Sequence, residues 1–225
     1  MNNNRGEQLS FYQLFTEKDW NIEIPILQRD YAHGRESAKE IRDGFLDNLN
    51  KHLKNDKHID LDFIYGSITG TNNNKLILLD GQQRITTLFL LHWYLSNKEN
   101  KNKKFKEFMI SEENNIRTSN LTYETRTSSR EFCDSLVNSD IRLDDLIGDS
   151  ISKTIQDKPW YFRSWSKDPT INSMLNMLDD MHNTFKHSDK LFDKLLYTEE
   201  PIITFQFLNL EEFQLTDDLY IKMNA

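Results

Sequence analysis

Lys75 to Leu95 reads KLILLDGQQRITTLFLLHWYL. Leu76 to Leu79 is an unbroken apolar run, the pattern of a strand covered on both faces, and a helical pattern begins a few residues later. Asp80-Gly81-Gln82-Gln83-Arg84 is therefore the turn between them. A carboxylate, a glycine that frees the backbone, two amides and a guanidinium set acceptors, donors and a fixed positive charge at the mouth of a helix. Such a mouth favours anions. Thr86 and Thr87 fall in the first helical turn, where a hydroxyl either adds a donor to a phosphate or replaces a missing backbone partner. The same spacing also fits a plain strand-turn-helix corner with Arg84 solvated.

Outside this corner, composition sets bounds. The chain has 225 residues, 37% hydrophobic and 12% aromatic, enough for one sizeable core or a core with a lobe. A formal net charge of -8 argues against a non-specific nucleic-acid coat, although a local basic groove is compatible with it. The single cysteine, Cys133, excludes an internal disulfide and a thiolate metal cluster, and its setting in EFCDSL reads as helix packing. MNNNRGEQLS has no apolar signal core, and no run approaches the roughly eighteen apolar residues of a membrane span. A cytoplasmic location without membrane contact is expected.

Leu9 to Phe15 predicts a short amphipathic helix, and Asn21 to Leu27 alternates like a strand that Pro25 makes an edge strand or a bulge. The loop Gln28-Arg29-Asp30-Tyr31-Ala32-His33-Gly34-Arg35 follows. Arg29 offers a bidentate fork, Gln28 a donor-acceptor pair and Tyr31 a flat face with a hydroxyl, although Arg29 and Asp30 also suit a surface ion pair. Ser37 and Glu40 have capping-box spacing for a helix from Ala38 to Leu53 that buries Ile41, Phe45, Leu46, Leu49 and Leu53. Leu61 to Thr69 and Lys75 to Leu79, joined by Thr71-Asn72-Asn73-Asn74, predict a hairpin. The helix after the glutamines is apolar almost all round and must be central. Five lysines between Asn97 and Lys106 read as a solvated face, and Lys106 to Glu113 as a short helix.

From Ile116 the pattern is helical, with no strand expected before Ile202 to Leu208. Ser128 and Glu131 suggest another capping box, and Arg126 and Arg130 beside it suggest either a second anion site or pairing with Glu124 and Glu131. Leu143 to Ile155 is weakly helical. Trp160, Tyr161, Phe162 and Trp165 read as a satellite core. Pro169 sits near the first turn of a strong helix, Ile171 to Phe185, whose methionines are core. The closing Leu219 to Ala225 has no cap, glycine or charged tail, and continuation into a longer protein is expected.

IPILQRDY at Ile24 to Tyr31, DGQQRITTL at Asp80 to Leu88 and YIKMNA at Tyr220 to Ala225 together resemble the ParB/sulfiredoxin-like domain at the N-terminus of GmrSD-type restriction and phage-defence proteins. The resemblance implies an α+β fold: a small mixed-sheet core over 1–100, with 198–225 returning to it, and a helical lobe over 101–197. It implies nucleotide binding and NTP hydrolysis at the DGQQR corner, and a separate C-terminal HNH-like nuclease domain in a full-length protein that acts on modified phage DNA. The family's last motif continues from the asparagine, here Asn224, into an Arg-Gly pair not found here. By resemblance Asp80 handles metal or water, with Gln83 and Arg84 on the reacting phosphates. Gln28, Arg29, Tyr31, Gly81, Gln82, Thr86, Thr87 and Asn224 are then nucleotide-binding. One carboxylate for a hydrated Mg²⁺ and two arginines suit phosphoryl transfer. LILLD looks like a Walker B strand, but no G-x-x-x-x-G-K-[ST] occurs, which excludes a P-loop enzyme. The alternative is a module that senses a nucleotide or DNA phosphate without hydrolysis and controls an attached nuclease.

Overall fold

In the computed structural model, which describes residues 6–25, 31–70, 74–124 and 126–210, β1 (Glu7–Leu9) leads into α1 (Phe11–Thr16) through a capping box. The Ser10 amide donates to Gln13 Oε1 (2.8 Å) and the Gln13 amide to Ser10 Oγ (3.3 Å). β2 (Asn21–Ile24) follows, then the loop from Tyr31, a 3-10 turn at Glu36–Ala38 and α2 (Lys39–Lys54). β3 (Ile59–Thr69) and β4 (Lys75–Asp80) form the expected antiparallel hairpin and feed α3 (Gln82–Lys98). Then come α4 (Asn102–Met109), the hairpin β5 (Ile110–Glu113) and β6 (Ile116–Ser119), β7 (Leu121–Tyr123), α5 (Thr127–Asn138) and α6 (Ile151–Gln156). α7 (Pro169–Phe185), α8 (Phe192–Leu195) and β8 (Ile203–Asn209) complete the described chain.

The result is a mixed α+β fold. Six strands lie in the order β1-β8-β3-β4-β2-β7, with β4, β2 and β7 mutually parallel. Their carboxyl ends therefore share one edge of the sheet, and the segments after Ile24, Asp80 and Tyr123 all leave from it. Carboxyl ends of parallel strands are where open α/β sheets place ligands.

α3 lies across the inner face as the central packing element. Ile85, Leu88, Phe89, Leu90, Leu91, Trp93, Tyr94 and Leu95 are all fully buried, each contributing roughly 1.5–3 kcal/mol by burial. Most of its buried polar groups are paired: Trp93 Nε1 donates to the Leu136 carbonyl (2.9 Å), and the Ser96 hydroxyl and Asn97 amide both donate to the Trp93 carbonyl (2.8 Å each), while His92 Nε2 finds no partner among the described residues. α7 begins as expected, with Pro169 at its first turn and the Asp168 carboxylate accepting the Thr170 and Ile171 amides. Trp165 is buried against Phe132 and Tyr161 as part of the main core rather than a satellite, with Trp160 and Tyr161 packed against it and Phe162 58% exposed.

Several expectations are corrected. β2 is an interior strand, paired with β4 on one side and β7 on the other, because it ends at Ile24 and the missing N–H of Pro25 falls just past the ladder. The stretch after Ile116 is not purely helical, since β6 and β7 lie within it and β7 joins the main sheet. The helix expected over Lys106 to Glu113 begins earlier and gives way to β5 at Ile110. α2 is rotated from its expected register: Ile41 is 74% exposed while Arg42 is 3% exposed and heads the buried stripe Arg42, Leu46, Leu49, Leu53. Neither Ser37 nor Ser128 forms a capping box; α2 and α5 have no side-chain cap, and the Ser128 hydroxyl donates instead to Asp168. The lysine run is solvated in part, with Lys103 and Lys104 exposed, while Lys98 pairs with Asp189 (2.7 Å), Lys101 with Asp193 (2.8 Å) and Lys106 with Asp140 (2.8 Å). No helix among the described residues is long and apolar enough to cross a membrane.

Candidate functional site

β4 delivers the DGQQR residues to the strand-end edge. Gly81 adopts φ +83°, and a Cβ there would lie 2.7 Å from Ile64 Cγ1, so both backbone conformation and space demand glycine. Gly81 is the N-cap of α3 and brings no side chain to cap this end of the helix. Its first-turn amides therefore form the positive pole of the central helix, beside the exposed Asp80 and the half-buried Arg84. One Arg84 guanidinium nitrogen donates to the Leu61 carbonyl of β3, which anchors the charge at the edge of the sheet.

The other side chains of the motif face inward and fasten the corner to its surroundings. Gln82 Nε2 donates to the Leu78 carbonyl (2.7 Å). Gln83 Oε1 accepts the backbone N–H groups of Ala32 (2.7 Å) and His33 (3.1 Å). The Thr87 hydroxyl donates to the Gln83 carbonyl (2.7 Å) and shares a bond with the Tyr31 hydroxyl (2.7 Å). Thr86 meets the Tyr123 hydroxyl at the end of β7 (3.1 Å). Both threonines are buried, so their hydroxyls hold Tyr123 at the end of β7 and Tyr31 in the loop that follows β2. Burial pushes the Tyr31 and Tyr123 phenols well above their ordinary range, so both remain protonated.

The loop beginning at Tyr31 is clamped from three sides. α3 holds it through Gln83. α2 holds it through Arg42, whose Nη1 donates to the His33 and Arg35 carbonyls (2.8 Å each) while Nε pairs with Asp180 of α7 (2.5 Å). α7 also contributes Asn176 Nδ2 to the Gly34 carbonyl (3.1 Å), and Gly34 packs so closely that a Cβ would fall 1.8 Å from the Ser173 carbonyl oxygen. His33 sits half-buried in this clamp. Burial first, then the positive charges of Arg84 and Arg42, lower its pKa and keep the imidazole neutral at neutral pH.

Of the residues singled out in the sequence, Tyr31, Asp80, Gly81, Gln82, Gln83, Arg84, Thr86 and Thr87 thus belong to one connected corner. Gln28, Arg29 and Asn224 lie outside the described residues. Arg126 donates to Thr170 Oγ1 (2.9 Å) and Arg130 to the Glu124 carbonyl (3.2 Å), so both are engaged within the fold. Sequence reasoning missed Arg42, Asp180 and Tyr123. Arg42 carried a detectable signal, a cation four residues before Leu46 on an otherwise apolar stripe. Cys133 is fully buried and burial raises its thiol pKa, as suits packing.

Among the described residues no three His, Cys, Asp or Glu side chains gather to hold a metal ion. Asp80 is the carboxylate of the corner itself. One carboxylate fits Mg²⁺ that arrives with a phosphate ligand and keeps most of its waters, and does not fit an all-protein cage.

No curated protein matches the chain. The family described as GmrSD restriction endonuclease, N-terminal domain, matches residues 11–225. That match takes in the strand-end corner, the clamped loop and every helix, and on it the chain belongs to the GmrSD restriction endonuclease N-terminal domain family.

Proposed function

We propose that this domain binds a nucleoside triphosphate at the carboxyl ends of β2 and β4 and hydrolyses it to regulate a DNA-restriction activity. The observation that carries this reading is the tie between the two motifs. Gln83 and Thr87 of one hold Tyr31 of the other, and Ala32 and His33 just after it, against the N-terminus of α3, next to Arg84 and Asp80.

The chemistry this supports is attack of water on the γ-phosphorus, with the bond to the bridging oxygen breaking and the diphosphate leaving. The groups required are positive charge for the leaving oxygens and a fixed phosphate position. Arg84 and the α3 amides supply the charge, and the family resemblance assigns Arg29 to the same phosphates. Asp80 would hold Mg²⁺, which neutralises phosphate charge when bound with the substrate. Gln82, Gln83, Thr86 and Thr87 are assigned to framing the corner, since their described bonds run inward. The nuclease step belongs, in this reading, to a C-terminal HNH-like domain of the full-length protein.

A binding module without turnover is the second reading. It is favoured by how many of the motif's polar groups are spent on framing, which leaves Asp80 and Arg84 as the described side chains available for chemistry. Phosphate release from ATP, GTP, CTP and UTP with Mg²⁺ separates the two. Hydrolysis by the wild type that falls at least 100-fold in Asp80→Ala and in Arg84→Ala supports the enzyme. Binding without release, or release untouched by both substitutions, rejects it.

A further inference from the structure

The outer face of the sheet carries an aromatic pair beside the corner. Tyr65 on β3 lies across from Asp80 on β4, at the point where the ladder shifts register between Tyr65 and Gly66. Phe63 precedes Tyr65 by two positions and so lies on that face as well. Their ring centroids are 6.1 Å apart with 31° between planes. Phe63 is 47% exposed, whereas the next residue, Ile64, points inward and is 1% exposed.

The strand is distorted where this ring is presented. Its register against β8 shifts between Asp60 and Phe63, and Asp62 adopts φ +62°, with its amide donating to Asp60 Oδ1 (2.9 Å). Bulges of this kind re-aim side chains next to functional sites, and an aspartate held in the left-handed region costs stability unless something is gained. What is gained here is a large flat ring left open to solvent, one strand away from the exposed carboxylate of the phosphate corner.

We propose that Phe63, flanked by Tyr65, is the stacking surface for the base of the nucleotide whose phosphates occupy the Asp80–Arg84 corner. This rests on the nucleotide-binding reading above. An aromatic ring offers every base the same π face, so the platform supplies affinity for a nucleobase without selecting which one.

The test measures, by calorimetry on the full chain with Mg²⁺, the affinities for the four NTPs, for inorganic tripolyphosphate and for a single-stranded oligonucleotide. Wild type is compared with Phe63→Ala, Phe63→Leu and Phe63→Tyr. The preference for the best NTP over tripolyphosphate is expected to fall about tenfold in Phe63→Ala, the size of one base–aromatic stack, to stay low in Phe63→Leu and to return in Phe63→Tyr. An unchanged preference in Phe63→Ala, or recovery in Phe63→Leu equal to that in Phe63→Tyr, overturns the platform and leaves the phosphate corner standing. Weakened oligonucleotide binding with an unchanged NTP preference overturns it too, since the ring then serves a nucleic-acid strand. No binding of any NTP or of tripolyphosphate overturns both readings.

Discussion

Gln83→Ala is expected to open the loop that follows Tyr31, and Gln83→Glu to leave it closed. Gln83 Oε1 accepts two backbone N–H groups, from Ala32 at 2.7 Å and His33 at 3.1 Å. Each such bond contributes about 1 kcal/mol net, so alanine removes about 2 kcal/mol from the clamp, a roughly 30-fold rise in opening of the loop. A glutamate at the same position still accepts both N–H groups, now with charge assistance, and keeps the loop closed. Its negative charge, however, lies within the corner assigned to phosphate and opposes anion binding there. Hydrogen exchange of the Ala32 and His33 amides reads the clamp, and nucleotide titration reads the mouth. Fast exchange in Gln83→Ala, near-wild-type exchange in Gln83→Glu and weaker nucleotide binding in both are expected. Glutamate exchanging as fast as alanine, or alanine leaving exchange unchanged, refutes the framing role.

Other perturbations follow from the same geometry. Asp180→Ala leaves the Arg42 guanidinium buried without its carboxylate, at a cost of about 3 kcal/mol, and a drop of roughly 6–12 °C in melting temperature is expected by calorimetry. Gly81→Ala, with φ +83° and Ile64 in the way, destabilises by at least about 1–2 kcal/mol, whereas Gly44→Ala within α2 meets no atom within 4 Å and stabilises by about 0.5–1 kcal/mol; paired denaturant titrations check the opposite signs. His92 is buried against Phe11 and its pKa is lowered by burial to about 4. The unfolded chain therefore binds this proton first, and stability that is fully present above about pH 6.5 is lost as pH falls towards 4, by up to about 3 kcal/mol. His92→Leu should flatten that acid limb in unfolding titrations between pH 4 and 7.

The strand-turn-helix at Lys75 to Leu95 was legible because a covered strand and an all-round apolar helix leave little alternative in so few residues, and the hairpin before it was fixed by its polar turn. Three-residue strands such as β1 and β7 carry no periodicity of their own; they form because interior neighbours offer ladder partners. Pro25 misled for a related reason, since a proline one residue beyond a strand looks in sequence like one inside it. In α2 the apolar pattern favoured Ile41, but the carbonyls of His33 and Arg35 and the carboxylate of Asp180 draw Arg42 inward, a long-range gain invisible in local spacing. The site was half legible. Its residues were named by motif, yet the inward work of Gln83, Thr86 and Thr87 depends on tyrosines brought from other segments.

The central claim is that two motifs separated by some fifty residues face one ligand. Hydrogen exchange with and without a non-hydrolysable NTP analogue and Mg²⁺ tests it on the wild-type chain. Peptides covering 26–35 and 80–88 should both gain protection, while those covering the ion-paired lysines at 97–106 stay unchanged. Protection confined to one motif, or found only elsewhere in the chain, contradicts the claim.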